Sequence, residues 1–115
     1  MHEAAIIQKL VKEIEKECKK NRINSLSRII LELGQLTNYK KEPVQFYYSL
    51  FSKETRLLSN AELVVNEIEG MIQCNDCKSK SKILDPTLIF CPLCQSSNIN
   101  IIKGNDFIIK KLEGK

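Results

Sequence analysis

Two short runs, Cys74-Asn75-Asp76-Cys77 and Cys91-Pro92-Leu93-Cys94, stand thirteen residues apart and organise the reading of the 115-residue chain. A C-x-x-C turn lets two sulfurs converge on one ion while backbone N–H groups of the turn face the thiolates. Two such turns supply the four ligands of a tetrahedral zinc site: Cys74, Cys77, Cys91 and Cys94. Pro92 preorganises the second turn, and the polar stretch from Lys78 to Lys82 has too little apolar content to fold unaided. Metal binding is therefore expected to supply folding free energy here, on the order of 10 kcal/mol for structural sites of this kind. A fully thiolate shell leaves no open position for water and so no Lewis-acid chemistry. A redox dithiol or an iron–sulfur centre would draw on the same residues.

Upstream, residues 4 to 21 place Ile7, Leu10, Val11, Ile14 and Cys18 at steps of three and four, with lysines and glutamates elsewhere. This is the pattern of an amphipathic helix, with Asn21 and Asn24 as candidate terminators. From Ser27 to Leu33, Ile29, Leu31 and Leu33 alternate with Arg28, Ile30 and Glu32, which predicts a half-buried strand closed by Gly34. Pro43 begins a second helix over 43–54 that carries Val44, Tyr47, Tyr48 and Phe51 at helical spacing. Ala61 to Glu69 returns to period two and stops at Gly70, and Phe107 to Leu112 is a third strand beyond the cysteines.

The helix-bearing connection between the first two strands favours parallel pairing. The insert leaves strand two and returns into strand three, so those two are expected to be antiparallel neighbours. The expected fold class is α+β: two helices on a small three-stranded mixed sheet, with an inserted four-cysteine, zinc-ribbon-like module. The corresponding domains are 1–70 plus 104–115 and 71–103, with no internal repeat.

Composition narrows the function. The length excludes large barrel or two-domain enzymes. No apolar run approaches the roughly 18 residues needed to span a bilayer, and the start lacks a basic signal-peptide region, so no membrane association and a cytoplasmic location are expected. The formal net charge is +4; a zinc ion with four thiolates adds −2, leaving +2. Lys78, Lys80, Lys82 and Lys103 around the cysteines raise the alternative of a zinc-ribbon nucleic-acid-binding or adaptor module, although Asp76, Asp85 and Asp106 are interleaved with them. Cys18, on the apolar stripe of the first helix, reads as a small buried hydrophobe. With one histidine, at position 2, and four glycines, the chain holds neither a Ser/His/Asp set nor a phosphate-binding glycine loop.

That histidine admits a different chemistry. A bulky second residue prevents removal of the initiator methionine. The Met1 amine, the His2 amide nitrogen once deprotonated and the His2 imidazole can then occupy three corners of a square plane, with Glu3 next in line for the fourth. Square-planar nitrogen and oxygen ligation selects Ni(II) or Cu(II). On composition alone, a solvated chain end competes with this reading.

The Met1-His2-Glu3 start, Gly34-Gln35-Leu36-Thr37 after the first strand, the four cysteines and Gly104-Asn105-Asp106-Phe107 before the last strand occur together. As a set, covering essentially the whole chain, this resembles the HypA/HybF family of nickel-insertion metallochaperones. The resemblance implies a carrier rather than an enzyme. It also implies that Met1, His2 and Glu3 hold transient Ni(II) as cargo and that Cys74, Cys77, Cys91 and Cys94 hold structural Zn(II). The implied partners are a HypB-type hydrogenase-maturation GTPase, the nickel-iron hydrogenase large subunit and, in some bacteria, urease maturation proteins; no nucleic acid partner is implied, and the chain is expected as a monomer or weak homodimer. Departures from the family pattern are Gln35 and Thr37, where Gly-Glu-Leu-Ser is usual, and Tyr39-Lys40-Lys41, where relatives often place an acid. No histidine flanks either cysteine turn, so an all-thiolate zinc shell is expected.

Overall fold

A computed structural model describes residues 2–83, 85 and 87–115. The elements are α1 (His2–Lys20), β1 (Leu26–Gly34), α2 (Lys41–Phe51) followed by a single 3-10 turn (Ser52–Glu54), β2 (Glu62–Ile68), β3 (Met71–Cys74), β4 (Lys80–Lys82), β5 (Ile99–Lys103) and β6 (Phe107–Gly114). They form two three-stranded sheets, β2-β1-β6 and β4-β3-β5. Two compact units result: Met1–Leu31, Tyr39–Asn66 and Ile108–Lys115 in one, Glu32–Asn38 and Glu67–Phe107 in the other.

In the first unit α1 buries Ile7, Leu10, Val11, Ile14 and Cys18, the stripe expected from its spacing. The helix ends in a Schellman arrangement. The Ile23 amide donates to the Cys18 carbonyl (2.8 Å) and the Arg22 amide to that of Lys19 (3.3 Å), with Arg22 at φ 57°. Asn21 is therefore the cap, and the left-handed residue is an arginine rather than Asn24, whose amide instead donates to the Lys115 carbonyl at 2.7 Å. α2 packs on α1 and buries Val44 and Tyr48. The Tyr48 hydroxyl donates to the Ala61 carbonyl at 3.3 Å, and burial pushes its pKa up to about 12.

β1 buries more apolar side chains than any other described strand, namely Leu26, Ile29, Leu31 and Leu33, and it takes the centre of its sheet. Leu26 donates to Leu57 and Gln35 to Ile68, so β1 and the β2 segment advance together and pair in parallel. Lys115 and Ser25 exchange bonds at 2.9 and 3.2 Å while Gly34 donates to Asp106, so β6 runs antiparallel to β1. The expectation that the last strand would neighbour the second is thus corrected: β6 lies on the far side of β1. Sequence adjacency suggested a β2–β6 pair, but the strand with the largest apolar load gains most from having a partner on both edges.

The second unit contains a sheet that the hydrophobic pattern did not announce. β3 pairs antiparallel with β4 (Met71↔Lys82, Ile72↔Ser81, Gln73↔Lys80) and with β5 (Ile72↔Ile101, Cys74↔Ile99), with a register irregularity between Met71 and Ile72. Lys80-Ser81-Lys82 lacks apolar side chains altogether; it is a strand because it closes a hairpin around the first cysteine turn.

Three glycines meet where the chain enters and leaves this sheet. A Cβ on Gly34 would strike the Gly104 carbonyl, one on Gly104 would lie 2.6 Å from the Gly70 Cα, and one on Gly70 would lie 2.6 Å from the Leu36 side chain. Gly104 also sits at φ +86°. The loop after β1 ties the crossing together. Leu36 donates to Gly104 at 2.8 Å, the Gly70 amide donates to Gln35 Oε1 at 2.7 Å, and Thr37 Oγ1 donates to the Gly34 carbonyl at 2.7 Å. Gly34→Ala is expected to destabilise the fold by about 3 kcal/mol, lowering the midpoint by about 10 to 20 °C in thermal unfolding. Gln35→Glu, whose carboxylate accepts the same amide bond, should stay within about 0.5 kcal/mol of the parent, whereas Gln35→Leu leaves that amide without its acceptor and should cost about 1 kcal/mol or more.

Candidate metal centre

The first cysteine turn follows β3 and leads to β4; the second precedes β5. Both are built alike. The Cys74 amide donates to the Ser79 carbonyl and the Cys91 amide to the Ser96 carbonyl, each at 2.9 Å. The residue after each turn takes a left-handed conformation, Lys78 at φ 66° and Gln95 at φ 62°. The two segments thus share the form C-x-x-C-x-S, a short internal repeat not expected from the sequence, in which each serine carbonyl closes a loop around its own pair of sulfurs.

The four Sγ atoms lie within 4.8 Å of one another. Cys74 and Cys94 are 3.5 Å apart and Cys77 and Cys91 3.6 Å. Zinc–sulfur bonds of about 2.3 Å at tetrahedral angles require sulfurs about 3.8 Å apart, so the cage fits such an ion with small adjustment. Cys74 Sγ also accepts the amides of Asp76 (3.3 Å) and Cys77 (3.4 Å), and these bonds favour thiolate over thiol. The geometry and the soft donors make the cluster consistent with a zinc site. Among the described residues, no other group of His, Cys, Asp or Glu side chains comes together in this way.

The electrostatics divide the sulfurs. Amide donation from Cys94, then from Leu93, with help from the Ser79 hydroxyl, brings Cys91 down to about 6 against the opposing effect of desolvation. The Ser79 hydroxyl and amide lower Cys77 as well, the hydroxyl lying 3.0 Å from Cys77 Sγ and 3.7 Å from Cys91 Sγ. At Cys94 the Ser96 amide pulls downward, but the Cys74, Cys77 and Cys91 thiols together with desolvation outweigh it and push the group up to about 12. Four thiolates cannot coexist in this volume without a cation between them. Ser79 was not marked by the sequence; the repeated serine two residues after each C-x-x-C was the available signal.

The remaining candidates fall at the start of the chain. Met1 lies outside the described residues, and so does the His2 side chain; the His2 backbone begins α1, and Glu3 is half-buried in its first turn. Cys18 is 1% exposed, and desolvation, then the Glu17 carboxylate, raises its pKa, as befits an inert packed thiol. Lys82 pairs with Glu69 at 3.1 Å. The second unit as a whole carries four basic against six acidic side chains, so its lysines do not form a one-sided basic face.

With Cys91 brought down to about 6 and Cys94 pushed up to about 12, loading the four-cysteine site at pH 7 should release at least one and fewer than four protons, readable from calorimetric enthalpies in buffers of different ionisation heat. A depressed thiol favours the folded, thiolate form above its ordinary range and loses that contribution as pH falls through about 6. Metal retention should accordingly decline as pH drops below 6, with loss of the amide dispersion of residues 71–103.

The matching family model, described as "Hydrogenase/urease nickel incorporation, metallochaperone, hypA", covers residues 1–114. A hydrogenase maturation factor HypA from Moorella thermoacetica is 32% identical over 115 residues, covering all of both chains. One from Aquifex aeolicus is 33% identical over 114 residues, covering 98% of this chain and 96% of its own. Among solved structures, the nickel metallochaperone HypA from Helicobacter pylori shares the fold with a TM-score of 0.72 at 23% identity, over 97% of this chain and 96% of that one. With a closed thiolate cage and relatives matched end to end, the chain belongs to the HypA family of nickel-incorporation metallochaperones for hydrogenase maturation, and is not an enzyme.

Proposed function

We propose that the chain holds Ni(II) at its N-terminus, through the Met1 amine, the His2 amide and imidazole nitrogens and Glu3, and keeps Zn(II) at Cys74, Cys77, Cys91 and Cys94 as a structural ion. The observation that carries the first half is the start of α1 at His2. The first N–H groups of an α-helix have no intrahelical acceptor, so the His2 amide gives up no helical bond when it is deprotonated and ligated. Helix polarity then acts against the cargo, since the N-terminal end carries partial positive charge. The Glu3 carboxylate and the ionised amide offset that cost, and a site of few ligands opposed by the dipole suits an ion that must be handed on. The zinc half rests on the soft, tetrahedral, fully thiolate donor set, which leaves nothing open for cargo.

Functionally, the nickel-binding part corresponds to residues 1–70 plus 104–115 and the zinc-binding part to 71–103. Nickel passes from this chain to the large subunit of a nickel-iron hydrogenase with the help of a HypB-type GTPase, and urease maturation is a second outlet in organisms that make that enzyme. Protein with its native terminus should bind about one equivalent of Ni(II), with the absorption band of square-planar amide ligation. One extra residue ahead of Met1, or His2→Ala, should weaken that binding at least about a hundredfold while leaving zinc content and thermal midpoint unchanged. Equal nickel binding by the extended protein would refute the terminal chelate.

A further inference from the structure

A groove of about 900 Å³ in the first unit runs between the second half of α1 and β6. Four consecutive residues of β6, 109–112, line it. Side chains of a strand alternate between faces, so a groove touching four in a row follows the strand's edge rather than either face. β6 is the terminal strand of its sheet, and the edge turned away from β1 has no strand partner among the described residues. Ile109 and Leu112 give the groove apolar contact surface, and Lys16, Lys20, Lys110 and Lys111 stand along it against Glu13 and Glu17. Lys111 also reaches Glu113 at 3.5 Å. The unit that contains the groove carries fourteen basic and eight acidic side chains.

We infer that this groove is a docking site for an extended acidic segment of a partner protein, which adds to β6 as a fourth strand. The strand edge offers main-chain donors and acceptors; by strand alternation Ile109 and Lys111 fall on one face and Lys110 and Leu112 on the other, so each face of the added strand meets one apolar and one basic side chain. A second copy of this chain is the wrong occupant, because pairing β6 with itself would oppose Lys110 and Lys111 to their own copies. Nucleic acid would use the lysines but not the strand edge or the apolar contacts.

The probe is a short, terminally blocked peptide repeating Val-Val-Glu-Glu, so that each of its faces carries both residue types, fluorescently labelled and titrated into the full chain at low salt. Saturable binding is expected, with amide shifts concentrated in residues 108–112 and 13–23. Lysine in place of glutamate should abolish it, and the double variant Lys110→Glu/Lys111→Glu should weaken it about tenfold or more. Methylating alternate peptide nitrogens, which removes the donors of an added strand without altering the protein, should also abolish it. The inference is overturned if the peptide does not bind, if binding is indifferent to its charge or to methylation, if the shifts fall elsewhere, or if a single-stranded oligonucleotide competes with equal affinity.

Discussion

Four sulfurs in a space 4.8 Å across repel one another once ionised, so a fully thiolate second unit would depend on a cation among them to turn that repulsion into attraction. The first unit has the side chains to fold by burial, with Ile7, Ile14, Leu26, Ile29, Val44 and Leu58 all fully excluded from solvent. The second has few such residues, chiefly Leu33, Ile72 and Ile83 beside Cys74 and Cys91. Two left-handed residues that are not glycine, Lys78 and Gln95, are held there at a local cost. The same turns that carry this strain place amides on the sulfurs, so backbone conformation and thiolate chemistry are one arrangement.

Legibility in the sequence followed the source of stability. α1, β1, α2 and β2 could be read because burial drives them and burial leaves a period: the stripe from Ile7 to Cys18 and the alternation from Ile29 to Leu33 both face inward. β4 could not, because Lys80-Ser81-Lys82 is held by hairpin pairing with β3 around the first cysteine turn, which needs no apolar residues at fixed steps. The partner of β6 was hidden for another reason, since strand order depends on which strand has most apolar surface to cover on both edges, a comparison across the whole chain. The cysteine cage was fully visible from spacing. The residues proposed to hold nickel were suggested only by position in the chain and by resemblance, because one histidine leaves no pattern.

Where the chain departs from the usual family pattern, two of the changed residues have identifiable structural work. Gln35 accepts the Gly70 amide and Thr37 closes a turn onto Gly34, bonds that glutamate and serine at those places would also make. The exchange is isofunctional for the crossing. Lys40 and Lys41 at the start of α2 are different, since cations there oppose the helix dipole. Glu42 in the same first turn supplies the compensating charge.

The pairing of β1 with β6 couples the beginning of the chain to its end, Ser25 exchanging hydrogen bonds with Lys115. A ribosome releases α1 and β1 long before β6, so the central strand waits with one edge bare while everything between is synthesised. The second unit, ending at Phe107, is complete before the first. Contacts so distant along the chain close slowly. The helix bearing the N-terminal residues therefore gains its finished scaffold only once β6 has emerged, so the four-cysteine cluster of a nascent chain can meet an ion before the sheet beneath α1 is complete.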